Sequence, residues 1–325
     1  MTGPAYRTIL VPLDGSALSE RALPEATALA ARSGARLLLL RVAVANFVTR
    51  NDPLTGEPRL ADLAADYLRD VAARAGDRST AETIEAAGEP GPVIGRVARE
   101  RGVDLIVMAT HGRSGIGRWL YGSVADYVLR HAPVPVLLVS PHCERPWTAE
   151  GVAGRVLVPL DGSQVGAAAL GPAVDLAATL GTGLLLAQVV AYPPYTGYGY
   201  GGALEVAPYA FDPETERVAA ERYLDAAAAP LRRAGCDVAT CADLGPAAPT
   251  VARLARERGA VAIAMATHGR GGLARAVLGS VATGVVRLAG VPVLLTRPGG
   301  SRGPGARGRR ETMTTASDSG ACSAG

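Results

Sequence analysis

"ILVPLDGS" at residues 9–16 returns as "VLVPLDGS" at residues 156–163, 147 positions later. In each copy a short apolar run, of strand length, breaks on Asp-Gly, a strong turn dipeptide, and passes into an Ala/Leu-rich segment. That order, strand then turn then helix, opens an α/β unit. Further repeats follow at a second offset. "ARERG" (98–102 and 255–259), "MATHGR" (108–113 and 265–270), "GS" (122–123 and 279–280) and "VPVLL" (134–138 and 291–295) all recur 157 positions apart. The difference, 157 − 147 = 10, places a ten-residue insertion in the second copy, between its second and third strands. A unit this long is a duplicated domain and not a solenoid repeat. The expected division is a first domain over 1–146, a second over 147–298 and a disordered tail over 299–325, rich in Gly, Ser, Thr and Ala.

Within the first copy, "RTILVPL" (7–13) reads as a strand, followed from about Ala17 by a helix that Ser16 caps and Gly34 stops. Then come a strand at 36–44, an amphipathic helix at 59–75, a weaker strand at 80–86 and a helix that Pro90 and Pro92 open and that runs to Arg101. "DLIVMAT" (104–110) is a fourth strand; a glycine loop, a helix from Ser123 and a last strand, "VPVLLV" (134–139), complete the unit. Strands apolar on both faces and separated by helices predict a parallel sheet covered on both sides. The expected fold is α/β: two tandem, doubly wound, parallel five-stranded sheets. Ligands of such sheets bind beyond the carboxyl ends of the strands where the winding reverses. If the fourth strand lies on the other side of the first from the second, PLDGS and THGR meet in one crevice.

Composition narrows the chemistry. The chain has 325 residues, 48% hydrophobic and 19% charged, as suits two domains with sizeable cores. No apolar run reaches the roughly 18 residues of a membrane span, and residues 1–8 lack a charged-then-apolar signal pattern, so a cytoplasmic protein with no membrane association is expected. All 33 basic residues are arginine. With no lysine, P-loop, Schiff-base and pyridoxal chemistry are excluded, and "GRWLYGS" (117–123) only imitates P-loop spacing. A net charge of +3 with dispersed arginines argues against nucleic acid as a partner, and the tail's four arginines against two acids do not change that. Cys143, Cys236, Cys241 and Cys322 read as ordinary thiols, with no metal site.

The ligand argument rests on "HGRSGIGRWLYGS" (111–123) and "HGRGGLARAVLGS" (268–280), loops of equal length. Glycines let backbone amides approach an anion; Arg113, Arg118, Arg270 and Arg275 supply charge; and Gly-Ser opens a helix whose N-terminal amides suit phosphate. Such loops are also common plain turns.

On these residues the chain resembles a tandem universal stress protein of the ATP-binding type, of adenine nucleotide alpha hydrolase-like fold. Members carry an Asp after the first strand and Gly-x2-Gly-x9-Gly-Ser/Thr after the fourth. The match spans about 6–139 and 155–296. The resemblance implies a regulatory module of the stress response that binds ATP, with or without magnesium, in one crevice per domain. It places Pro12, Leu13, Asp14 and Gly15 by the adenine, with Val42 contacting it. Met108, Ala109, Thr110, His111, Gly112, Arg113, Ser114 and Gly115 would wrap ribose and phosphates, and Gly122, Ser123, Val124 and Ala125 would close on the phosphates. The second copy supplies Pro159, Leu160, Asp161, Gly162, Val189, Met265, Ala266, Thr267, His268, Gly269, Arg270, Gly271, Gly272, Gly279, Ser280, Val281 and Ala282. It also implies an internal pseudo-dimer through the last strand of each domain, with room for a homodimer of two chains.

Ala109 and Ala266 depart from the pattern, which has its first glycine there. At a strand end φ is negative, so alanine is conformationally acceptable and binding is expected to survive, weakened. His111 and His268 read as turn-shaping residues, Ser16 and Ser163 as caps, and His131 and His142, without counterparts in the other copy, as residues without a role. No catalytic residue is assigned; at most slow ATP hydrolysis is expected. A nucleotide-free scaffold of the same fold is the alternative, supported by the paired alanines and by a loop at 191–211 that holds five of the ten tyrosines.

Overall fold

The computed structural model describes residues 5–43, 57–74, 81–110, 122–143, 146–148, 152–192, 212–267 and 278–297. The tail and all but the first two residues of the tyrosine-rich loop lie outside them. The first domain runs β1 (Thr8–Leu13), α1 (Leu23–Ser33), β2 (Arg36–Ala43), α2 (Glu57–Arg74), β3 (Ala81–Ala87), α3 (Pro90–Glu100), β4 (Leu105–Ala109), α4 (Ser123–His131) and β5 (Val136–Val139). The second runs β6 (Arg155–Pro159), a one-turn α5 (Gln164–Ala167), α6 (Leu170–Leu180), β7 (Gly183–Val190), α7 (Pro213–Arg233), β8 (Val238–Leu244), α8 (Ala247–Glu257), β9 (Ala260–Ala266), α9 (Ser280–Leu288) and β10 (Val293–Thr296).

Local chemistry accounts for the boundaries. Gly34 ends α1 and Gly181 ends α6, each left-handed at φ 69° and 67°. Asp212 starts α7 by accepting hydrogen bonds from the Glu214 and Thr215 amides. The helix expected from Ala17 is split. A 3-10 turn at Ser19–Ala22 comes first, and α1 begins afresh with Pro24 in its first turn, where a missing amide costs nothing. The motif serines do cap, but what they cap is the short element: Ser16 Oγ accepts from the Ser19 amide at 3.1 Å and Ser163 Oγ from the Gly166 amide at 2.9 Å.

The strands form one sheet in the order β3-β2-β1-β4-β5-β10-β9-β6-β7-β8. Each half is parallel with β1, or β6, at its centre, so winding reverses between β1 and β4 and between β6 and β9. The halves meet where β5 and β10 pair antiparallel, with Leu137 opposite Leu294. Backbone bonds that an apolar edge would otherwise leave open are made there. Each face of the sheet carries one core that crosses this seam. The first holds Ile9, Leu39, Leu137, Val156, Leu186 and Leu294, against α1, α2, α6 and α7. The other holds Leu10, Leu40, Ile106, Leu138, Leu157 and Ile263, against α3, α4, α8 and α9. Helices α1 and α6 also touch across the domains, where Arg32 Nε donates to the Thr179 carbonyl at 2.9 Å. The linker residue Trp147 is buried and donates from Nε1 to the Val261 carbonyl at 3.1 Å.

Complementary packing marks the copies as separate units. Gly91 on α3 leaves space for Tyr127 on α4: an added Cβ would come within 2.5 Å of its ring. In the second domain the bulk moves to the other helix, since Gly284 on α9 makes room for Ala248 on α8, 2.6 Å from an added Cβ. The volume is conserved within each domain.

Candidate functional site

Strands β1 and β4 are neighbours with Leu10 opposite Ile106, and continuing that register brings Leu13 level with Ala109. Strands β6 and β9 repeat this, with Leu157 opposite Ile263. The turn after the central strand and the exit from its neighbour therefore lie side by side at each winding reversal. Backbone phases decide which side chains share a face there. Met108 and Val42 pack into the core on the α3/α4 side, as Met265 and Val189 do in the second domain, so the expected contact residues of one crevice share a face.

The two Asp-Gly turns have nearly the same geometry. Gly15 has φ 82° and Gly162 φ 81°, values that require glycine. Asp14 Oδ1 accepts from the Ser16 amide at 2.9 Å and from its hydroxyl at 2.5 Å. Asp161 Oδ1 does the same with Ser163, at 3.0 and 2.6 Å. One carboxylate oxygen thus holds the turn in each copy.

At the other wall, Ala109 and Ala266 close their strands in regular register with Val139 and Thr296. Their extended backbone takes an alanine without strain, as expected at a strand end. Thr110 and Thr267 follow, both buried, their amides donating to the carbonyls of Val139 at 3.2 Å and Thr296 at 2.8 Å. His111, Gly112, Arg113, Ser114, Gly115, His268, Gly269, Arg270, Gly271 and Gly272 lie outside the described residues, with Arg118 and Arg275.

Past those loops the chain re-enters at the starts of α4 and α9. Glycine stands at the N-cap of both helices and no described side chain caps either, so the amides of Ser123, Val124 and Ala125, and of Ser280, Val281 and Ala282, form first turns with no intrahelical partner beside the strand exits. Gly279 is tied directly to that exit: its amide donates to the Thr267 carbonyl at 2.8 Å. The paired glycines are not equivalent. Gly122 has φ 79°, whereas Gly279 has φ −56°, a value open to any residue.

Comparing the crevices exposes residues that sequence reasoning missed. Arg41, paired with Leu13, lies 4.9 Å over the Tyr67 ring and packs against the Gly15 turn; 147 positions on, the residue is Gln188, whose Oε1 is buried without a hydrogen-bond partner among the described residues. Burial, with Glu20 beside it, pushes the Tyr67 phenol up to about 12. On the opposite wall, Val42 stands beside Ala86, but Val189 stands beside Asp243. Asp243 pairs with Arg253 on α8 at 2.6 Å. Aligning the two copies strand by strand would have flagged both differences.

No helix among the described residues is long and apolar enough to cross a membrane. Comparison with known proteins agrees with the duplication. The model of the universal stress protein family matches residues 5–140 and again 153–297. The universal stress protein YxiE of Bacillus subtilis strain 168 is 34% identical over 147 residues, covering 41% of this chain and 99% of its own length. A universal stress protein structure from Archaeoglobus fulgidus superposes with a TM-score of 0.65 at 22% identity, covering 90% of this chain and 97% of that one. A functionally unknown protein from Pseudomonas aeruginosa gives 0.59 at 21%, covering 90% and 93%. With two matches that take in most of its length, the chain belongs to the universal stress protein family.

Proposed function

We propose that this protein is a nucleotide-sensing regulatory module of the stress response that binds ATP in the cytoplasm, with one crevice per domain. The carrying observation is the convergence, at both winding reversals, of a fixed Asp-Gly turn with a helix N-terminus that no described side chain caps. Val42 or Val189, partly buried on the face that packs against the same core as Met108 and Met265, offers an apolar surface for a base. The helix start offers amide donors and a partial positive charge for phosphates. Among the described residues no three His, Cys, Asp or Glu gather as a metal site, so magnesium would arrive on the phosphates it neutralises. The β5–β10 pairing supports an internal pseudo-dimer of the two domains, and a homodimer of two chains remains compatible with it.

Nucleotide extraction and stoichiometry on the purified full-length chain, with titration calorimetry against ATP, test this reading. Copurified adenine nucleotide, or heat saturating at up to two equivalents, supports it. A nucleotide-free protein with no response to ATP overturns it in favour of a scaffold. Turnover of ATP with magnesium at more than a trace rate would overturn the regulatory role.

A further inference from the structure

The two crevices share turn, strand exit and helix start, yet differ at the wall formed by the third strand of each domain. Beside Val42 the register places Ala86 on β3; beside Val189 it places Asp243 on β8. Neighbouring strands lie about 5 Å apart, so a base resting on Val189 has its outer edge within reach of the Asp243 side chain. That side chain is on the α8 side, the face that Val189 also packs toward, because Arg253 of α8 holds it. One Asp243 oxygen accepts from the Leu244 amide at 2.8 Å and the other from Arg253 Nη2 at 2.6 Å. A carboxylate has about four acceptor positions, so acceptor capacity remains on both oxygens. Arg253 is engaged on its other side as well, through Nη1 to Glu257 at 2.6 Å. The wall of the second crevice is therefore a fixed hydrogen-bond acceptor, and the equivalent wall of the first is a methyl group.

We propose that Asp243 determines base specificity in the second crevice by accepting a hydrogen bond from the exocyclic amine of the adenine, and that the first crevice, with Ala86, reads this edge of the base far less. The proposal rests on the nucleotide reading above and deepens it: the two sites bind the same class of ligand with unequal selectivity. A site built to bond a polar group discriminates against the analogue without it, and an amine held by a carboxylate corresponds to about tenfold in affinity at a half-exposed position.

The test uses the full-length chain in two one-site forms, Gly279→Glu to leave the first crevice and Gly122→Glu to leave the second, each titrated with ATP and with purine riboside triphosphate, which is ATP without its amine. The second crevice is expected to prefer ATP by about tenfold or more, the first by less than about threefold. Asp243→Ala should erase the preference in the second crevice while Arg253 keeps Glu257 as partner, and Ala86→Asp should install it in the first. Equal preferences in the two crevices, or a preference that survives Asp243→Ala, overturn the inference and leave nucleotide binding intact. Failure of the parent chain to bind ATP at all overturns the underlying reading instead.

Discussion

Glu25, in the first turn of α1, is 2% exposed, and its Oε2 has no hydrogen-bond partner among the described residues. Burial raises its carboxyl from the ordinary 4.5 to about 7, with its own backbone and Arg21 opposing only in part. The folded protein therefore holds this proton more tightly than the unfolded chain does. Stability from that preference is fully present below pH 4.5 and is lost as pH rises through about 7, once the unfolded carboxylate is ionised and the folded one must ionise in the core. At about 1.4 kcal/mol per pH unit between the two values, the loss amounts to about 3 kcal/mol. Glu25→Gln keeps the shape and removes the titration. In urea unfolding at a series of pH values from 4.5 to 8.5, the variant should match the parent at the acid end and exceed it by about 3 kcal/mol at the alkaline end. Asp175, raised by burial to about 6, adds a slope of the same sign, but it is common to both proteins and cancels in the difference. A stability difference that does not change with pH would refute the reasoning. So would a variant less stable than the parent at pH 8.5. The corresponding position in the second domain is Pro172, so this carboxyl has no counterpart there.

Three further outcomes follow from asymmetries between the copies. Gly122→Ala should cost about 1–3 kcal/mol in thermal or urea unfolding because φ is 79°, and Gly279→Ala, at φ −56°, should stay within about 0.5 kcal/mol. Gly91→Ala drives a methyl into the Tyr127 ring and should destabilise by about 1–3 kcal/mol, and adding Tyr127→Ala to it should recover part of that loss. Gly122→Glu and Gly279→Glu, made singly, should each remove one equivalent of bound ATP in calorimetry, because each sets a carboxylate among the amides proposed for phosphate; loss of both equivalents from either change would argue for one shared site.

Much of the architecture was legible because the physics that decides it is local or periodic. Apolar runs such as "ILV" and "LIVMA" have nowhere to go but the middle of a sheet covered on both faces, and helices between them force parallel order. Gly34 and Pro90 mark helix ends by their own backbone limits. What the letters hid depends on partners brought in by the fold. Ser16 looks like the cap of a long helix, but a second hydroxyl at Ser19, donating to the Ser16 carbonyl at 2.8 Å, stabilises a separate tight turn. Gly122 and Gly279 stand before the same Ser-Val-Ala, yet take opposite signs of φ, which the shared letters do not encode. Asp243 looked like one acid among 30 until register placed it beside Val189.

The same comparison bears on why two copies sit on one chain. The helix–helix compensations at α3/α4 and α8/α9 stay inside a domain, with Tyr127 answered by Gly91 and Gly284 by Ala248; across the seam, Gly181 leaves room for Arg32, whose Nη2 an added Cβ would meet at 2.7 Å. The contacts that cross are otherwise apolar strand pairing and a few backbone bonds, such as Leu137 opposite Leu294 and Arg32 to Thr179. Those contacts place little demand on residues at the far strands, β3 and β8, which are the outermost members of the sheet. A side chain can therefore change at Ala86 or Asp243 without disturbing what joins the halves. In an assembly of two identical chains every crevice must be the same; joining the domains covalently removes that constraint. The Asp243–Arg253 pair and the Arg41–Tyr67 stack are each found in one crevice only. Unequal sites are thus the physical consequence that duplication makes available, and selectivity of one crevice relative to the other is the property by which the two domains should be told apart.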